Sequence, residues 1–249
     1  MRNAIRLLFV ASTLAAAAAF GSGAAGAVLT APNLPAVQAI TPGPGEKVGI
    51  AAPVRVRFTE PVADRARAEQ AMSVRAETAL AGHFSWVDDR QLTWTPAAYL
   101  PTSAPITVSV GRLHTQFETN GGTTADADMS AHTFTVFIGG VPVRTMPASM
   151  GKSGWETPTG TFPVLSHDRS VTFDSRTIGI PLSDPQGYLI QGEFAERLTW
   201  GGVYVHSAPW SVDSQGNSNV SHGCINLAPG DAEWYYDNVS LGDPVTVHW

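Results

Sequence analysis

Short runs of alternating apolar and polar residues, broken by glycine and proline, constrain this chain more than any other feature. "PVRVRFTEPV" puts Val54, Val56 and Phe58 on one face and Arg55, Arg57 and Thr59 on the other, the pattern of a half-buried strand. "HFSWV" and "QLTWTP" follow around the polar turn "DDR", and then "APITVSVG". Further on, "HTFTVFIGGVPVRTMPASMG" reads as two strands hinged at Gly139 and Gly140, a tight hairpin signal. "TGTFPVL", "VTFDS", "GVYVHS" and "DPVTVHW" are further strand candidates. Helical signal is confined to short pieces, "VADRARAEQAM" and "PGDAEWYYDNV", the second with Asp231 as N-cap and Trp234 as its first buried residue. The expected fold is mainly β: a sandwich of about 90 residues followed by a second β-rich unit with short helices.

The N-terminus reads as an export signal. Arg2 and Arg6 precede an apolar run from Leu7 to Phe20, and Ala25 and Ala27 fit a small-residue cleavage site. The expected organisation is a signal peptide over 1–27, an irregular leader over 28–47, the sandwich over 48–122, a linker over 123–130 and the second unit over 131–249. Cleavage takes the formal charge from −6 to −8, because two arginines and no acids leave. The mature chain keeps only Lys47 and Lys152 as lysines and shows no basic cluster, so nucleic acid is not an expected partner. No run of eighteen apolar residues is present, so no stable membrane insertion is expected after cleavage; a retained signal would leave an N-terminal anchor.

Cys224 is the chain's single cysteine and stands in "SNVSHGCINLAPG". An exported protein usually pairs its thiols, so one unpaired thiol is either a small core residue or a reagent. Reactivity requires a nearby base or cation. His222 lies two residues away, but Gly223 between them suggests a bend that turns the two side chains apart. His206, arriving on the strand candidate "GVYV", is the better base. A metal site of His206, His222 and Cys224 is the rival reading, without the ligand spacing of known zinc modules or a suitably placed further Cys or acid; no metal and no cofactor are expected. Residues alone thus reach an exported thiol acyltransferase or hydrolase with a histidine base.

"HSAPWSVDSQGNSNVSHGCIN" is similar to the signature of L,D-transpeptidases of the YkuD type: a histidine, fourteen residues, then Ser/Thr-His-Gly-Cys, one apolar residue and asparagine. Here these are His206, Ser221, His222, Gly223, Cys224, Ile225 and Asn226. The resemblance covers roughly 131–249 and is nearest to the mycobacterial enzymes, which share "VHSAPWS". In the first half, "VRFTEPV" and "LTWTPAAYLP" resemble bacterial immunoglobulin-like modules, implying an Ig-like spacer.

The resemblance implies Cys224 as nucleophile, His206 as base, and the Ser207 backbone carbonyl as the group that orients the imidazole. It implies an oxyanion turn of Ser221, His222, Gly223 and Cys224, and substrate contacts at Tyr188, Gly201, Gly202, Asn226 and Trp210. The other aromatics of this half, Trp200 and Trp234 among them, are expected mainly in the core. Residues from about Phe162 to Trp200 match the family's lid, where Ile178 replaces a tyrosine usual in relatives. The implied reaction joins peptidoglycan stem peptides, donor and acceptor, into 3→3 cross-links in the periplasmic or cell-wall space, with carbapenem β-lactams as inhibitors. Two other classes remain open: a wall peptidase or amidase, in which water resolves the thioester, and a non-catalytic wall-binding protein, which would tolerate loss of Cys224.

Overall fold

A computed structural model describes residues 34–249. The expected signal peptide, 1–27, lies outside the described residues. The first half holds β1 (Val37–Thr41), β2 (Lys47–Val48), β3 (Val54–Phe58), α1 (Arg65–Gln70), β4 (Met72–Arg75), β5 (Gly82–Trp86), β6 (Gln91–Pro96), β7 (Pro105–Val110) and β8 (Leu113–Thr119). These form two four-stranded sheets, ordered β1-β3-β6-β5 and β2-β8-β7-β4. The alternation in β3 holds: Val54, Val56 and Phe58 are fully buried, packed with Leu92, Ile106 and Phe117 from both sheets. Arg55 and Arg57 point the other way.

The second half holds β9 (Thr123–Asp128), β10 (Thr133–Ile138), β11 (Val141–Ser149), β12 (Gly160–Pro163), β13 (Ser166–Asp174), β14 (Leu189–Arg197), β15 (Tyr204–Ser207), β16 (Ile225–Leu227), α2 (Pro229–Asn238) and β17 (Pro244–His248). Nine strands run in the order β12-β17-β9-β10-β11-β16-β15-β14-β13. A separate core gathers Phe134, Met146, Val205, Ile225, Leu227 and Tyr235, with α2 covering one face of the sheet.

Two boundaries differ from the sequence reading. The segment expected as a linker over 123–130 contains β9, paired with β10 on one side and β17 on the other. Its buried residues include Ala125 and Ala127, whose small side chains carry little hydrophobic signal but let neighbouring layers pack closely. The expected irregular leader over 28–47 contains β1, which pairs with β3 at the sheet edge and exposes most of its side chains. In α2, Asp231 is not the N-cap. Ala228 holds that position and Pro229 opens the helix, where proline's missing N–H costs nothing, while Asp231 in the first turn pairs with Arg144. Trp234 is only partly buried; Ala232 and Tyr235 face the core.

The two halves meet through backbone as well as side chains. The amides of Gly49 and Ala51 donate to the carbonyls of Leu241 and Gly242 at 2.8 and 2.9 Å. Asn120 Nδ2 donates to the carboxylate of Asp243 at 2.7 Å, and both side chains are buried. A Cβ at Gly49 would collide with the backbone of Gly242 and Asp243, so glycine is needed for this approach.

Candidate active site

β15 and β16 run parallel, with His206 beside Asn226 in register. Cys224 stands one residue before β16, so the two strands deliver thiol and imidazole to one cavity of about 850 Å³, which both line. Tyr188, Gly201, Gly202, Trp210, Ser221, His222 and Asn226 line the same cavity. Ser207 is buried behind it and contributes its backbone.

His206 is 3% exposed, and its Nδ1 lies 2.8 Å from the Ser207 carbonyl oxygen. A carbonyl only accepts, so the hydrogen bond puts the proton on Nδ1 and leaves Nε2 with its lone pair. Burial lowers the imidazole to about 4, against the hydrogen bonds to Ser207 and Asn226 that favour its charged form. The ring is held between Phe173, 4.5 Å away, and Trp210, 5.8 Å away. Burial pushes the Cys224 thiol up to about 12, with the Arg197 charge acting in the opposite direction. The resting thiol donates to the Gly202 carbonyl at 3.6 Å. Imidazole and thiol therefore rest as a neutral pair.

The turn before Cys224 is pinned by Ser221. Its hydroxyl donates to the Cys224 carbonyl at 2.7 Å and accepts from the Gly223 amide at 3.0 Å. Of the amides expected at an oxyanion, that of Gly223 is thus engaged inside the turn, at a residue whose φ of +118° favours glycine. The bend expected at Gly223 is present, and the His222 ring makes its contacts with Lys152, Gln186 and Trp155. Its Nε2 lies 3.1 Å from Lys152 Nζ and 3.3 Å from Gln186 Oε1, with Trp155 edge-on to its ring. Lys152 also donates to Gln186 at 2.6 Å. This cluster ties the Ser221–Cys224 turn to the segment between the 3-10 turn and β14. Among the described residues, no group of three His, Cys, Asp or Glu side chains is arranged to hold a metal.

Asn226, expected at the substrate, is 3% exposed and donates to Ser211 Oγ at 3.0 Å. Its side chain thus serves Ser211 and the His206 imidazole. The segment expected as a lid, Phe162 to Trp200, contains the β13–β14 hairpin, with a 3-10 turn over Ser175–Ile178 and a positive φ of +52° at Phe194. Ile178 lines the cavity, and Tyr188 packs at 5.4 Å from His222 with its phenol raised chiefly by burial. Trp200, expected in the core, is 70% exposed at the cavity mouth, and Trp210 is 51% exposed.

Residues 122–247 match the L,D-transpeptidase catalytic domain family, YkuD, and residues 21–114 match a bacterial Ig domain. The chain belongs to the L,D-transpeptidase family. L,D-transpeptidase 1 of Mycobacterium tuberculosis is 47% identical over 249 residues, 99% of each chain. An L,D-transpeptidase from Mycobacterium smegmatis superposes with a TM-score of 0.84 at 52% identity, covering 88% of this chain and 100% of that one. The L,D-transpeptidase LdtMt1 in complex with imipenem superposes with a TM-score of 0.82 at 49% identity, covering 87% and 100%. The fold is accordingly an Ig-like sandwich followed by a transpeptidase domain, and the protein is an L,D-transpeptidase.

Lys152, Gln186, Phe173, Ser211 and Arg197 of this transpeptidase site were not legible as site residues. The only prior signal was that Lys152 is one of two lysines in the mature chain.

Proposed function

We propose that this transpeptidase, exported to the cell-wall space, joins peptidoglycan stem peptides through a Cys224 thioester and is acylated by carbapenems. The observation that carries the reading is the pairing of His206 and Cys224 in one cavity, with the His206 tautomer set by the Ser207 carbonyl. Because the pair rests neutral, the thiol proton leaves for His206 Nε2 as Sγ attacks the donor carbonyl, rather than beforehand. The S–C bond forms, and the resulting oxyanion is met by the amides of His222 and Cys224 in the turn that Ser221 pins. Collapse expels the terminal D-alanine, whose amine takes the proton from His206. The diaminopimelate side-chain amine of a second stem then attacks the thioester and gives a proton to His206; the C–S bond breaks, and the departing Cys224 sulfur takes that proton back, leaving a 3→3 cross-link. The Ser207 carbonyl stabilises the transient imidazolium without an acid in contact, consistent with the hydrogen bond already made at Nδ1.

The imipenem complex of the relative supports the same thiol chemistry on a strained lactam carbonyl. Intact-protein mass spectrometry after incubation with imipenem tests it. The expected result is one drug adduct on the wild type and none on Cys224→Ala. An adduct that persists in the variant overturns Cys224 as nucleophile. Cross-linked dimer formed from tetrapeptide stems distinguishes transfer from hydrolysis, which releases only tripeptide.

A further inference from the structure

Trp200 sits in the Thr199–Gly202 turn between β14 and β15, the turn that lends the Gly202 carbonyl to Cys224. Two arginines approach its ring. Arg197, from the end of β14, lies 5.5 Å from the centroid and 4.4 Å from that of Tyr204. Arg55 reaches it from β3 of the Ig-like sandwich, at 6.0 Å. Four other arginines, Arg57, Arg90, Arg144 and Arg176, are paired with aspartates. Among the described residues, neither Arg55 nor Arg197 has a carboxylate or a side-chain hydrogen-bond acceptor, although acids outnumber Lys and Arg by 21 to 15 in the chain.

A guanidinium stacked on an aromatic ring keeps its edge donors in a rigid fork suited to a planar oxyanion. Two such forks at one ring repel each other until an anion lies between or beside them. Burial disfavours the Arg55 charge with no partner offsetting it. The residues beside Arg55 on the flanking strands, Thr41 and Thr93, are neutral. Arg197 is the one basic Lys or Arg side chain that lines the cavity. The backbone bonds between Gly49 and Leu241 and between Ala51 and Gly242 hold the sandwich where Arg55 meets the ring.

We propose that Arg55 and Arg197, stacked on Trp200, form a carboxylate-binding site at the cavity mouth, built jointly by the Ig-like sandwich and the catalytic domain. The site rests on the reading of the substrate as a peptide stem, which carries free carboxylates; a β-lactam carboxylate offers the same chemistry. The sandwich then contributes to ligand recognition as well as spacing.

The test measures binding by calorimetry to the full chain carrying Cys224→Ala, so it does not depend on turnover. The probes are a tetrapeptide stem with free carboxylates and the same peptide fully amidated. The free form is expected to bind about tenfold tighter, as charge-assisted bidentate pairs allow, and added salt should narrow the gap. Arg55→Gln and Arg197→Gln should each remove most of that preference, and Arg55→Lys should recover part of it, since charge returns without the fork. A second arm follows the rate of imipenem adduct formation in an Arg55→Gln variant that keeps Cys224. Loss of preference in the first arm assigns the stem; slowing in the second arm alone assigns the drug. Equal affinity for the two peptides in the parent, together with unchanged imipenem acylation in Arg55→Gln, overturns the site. A preference that survives both glutamine variants, with acylation again unchanged, also overturns it. Failure of the wild type to yield cross-linked product would overturn the stem reading separately, leaving the binding comparison intact.

Discussion

The imidazole of His206 takes its orientation from the backbone of its own neighbour, with Nδ1 2.8 Å from the Ser207 carbonyl oxygen. Because that acceptor is main chain, Ser207→Ala should keep the tautomer and most of the acylation rate. His206→Ala should lose about 10²- to 10⁴-fold, the usual contribution of a positioned base. Stopped-flow acylation by imipenem distinguishes them; a Ser207→Ala rate as low as that of His206→Ala would show that the hydroxyl matters.

The same burial sets the pH profile. His206 is lowered to about 4 and the Cys224 thiol raised to about 12, so neither group titrates between them. The base is lost only on protonation, so acylation should be flat from about pH 5 to 8 and fall as pH drops through about 4. A rate that climbs steeply between pH 6 and 8 would instead indicate a preformed thiolate–imidazolium pair. Iodoacetamide, which needs the thiolate, should alkylate the resting enzyme slowly throughout this range.

Glu196 on β14 is fully buried, and neither carboxylate oxygen has a partner. The hydroxyl of Tyr235, from α2, is likewise buried without one. Burial, which the Asp168 charge reinforces, raises the Glu196 carboxyl well above its ordinary value. A raised folded value means stability is greatest below the unfolded value, near pH 4, and declines as pH rises toward the folded one. Glu196→Gln should therefore match the wild type near pH 4 and exceed it by about 1–3 kcal/mol at pH 7. Thermal melts from pH 4 to 8 test this, and parallel curves for the two proteins would refute it.

Asp243 behaves alike at the junction of the two halves. Burial raises it to about 7, against the hydrogen bonds from Asn120 and the Ser240 amide. Asp243 thus contributes stability that is fully present below about pH 4 and lost as pH rises to about 7, opposing the gain that the lowered His206 gives over much of that window. Asn120→Ala, which strips one donor from the carboxylate, should carry that loss to higher pH than in the wild type, as thermal melts across about pH 4 to 9 would show; an unaltered pH dependence would place the titration elsewhere.

Gly49 makes the junction possible. Gly49→Ala should cost about 1–3 kcal/mol or more, because the added methyl meets backbone that cannot rotate away. Limited proteolysis should then cut between the sandwich and the catalytic domain, and cleavage no faster than in the wild type would show that the junction adapts.

The strand alternation in β3, the Gly139–Gly140 hairpin and the spacing from His206 to Cys224 were legible in the chain because each is local. A side chain's face follows from period two, and a turn follows from residues that tolerate its backbone. The signature from His206 to Asn226 was also legible, and it spans β15 and β16, which run side by side. What only the tertiary structure decided lies where local signals are weak or misleading. Ala125 and Ala127 read as linker yet lie in a strand between β10 and β17, because small residues are apolar enough only when neighbours close over them. The Gly223 amide turned to Ser221 within the turn, and the His222 ring to Lys152 and Gln186, partners that lie far off in the chain and meet it only on folding. Trp200 read as core but stands at the cavity mouth, where Arg55 meets it from the other half of the chain. Contacts between residues so far apart depend on how two separately packed cores dock, and no periodicity within either core encodes that geometry.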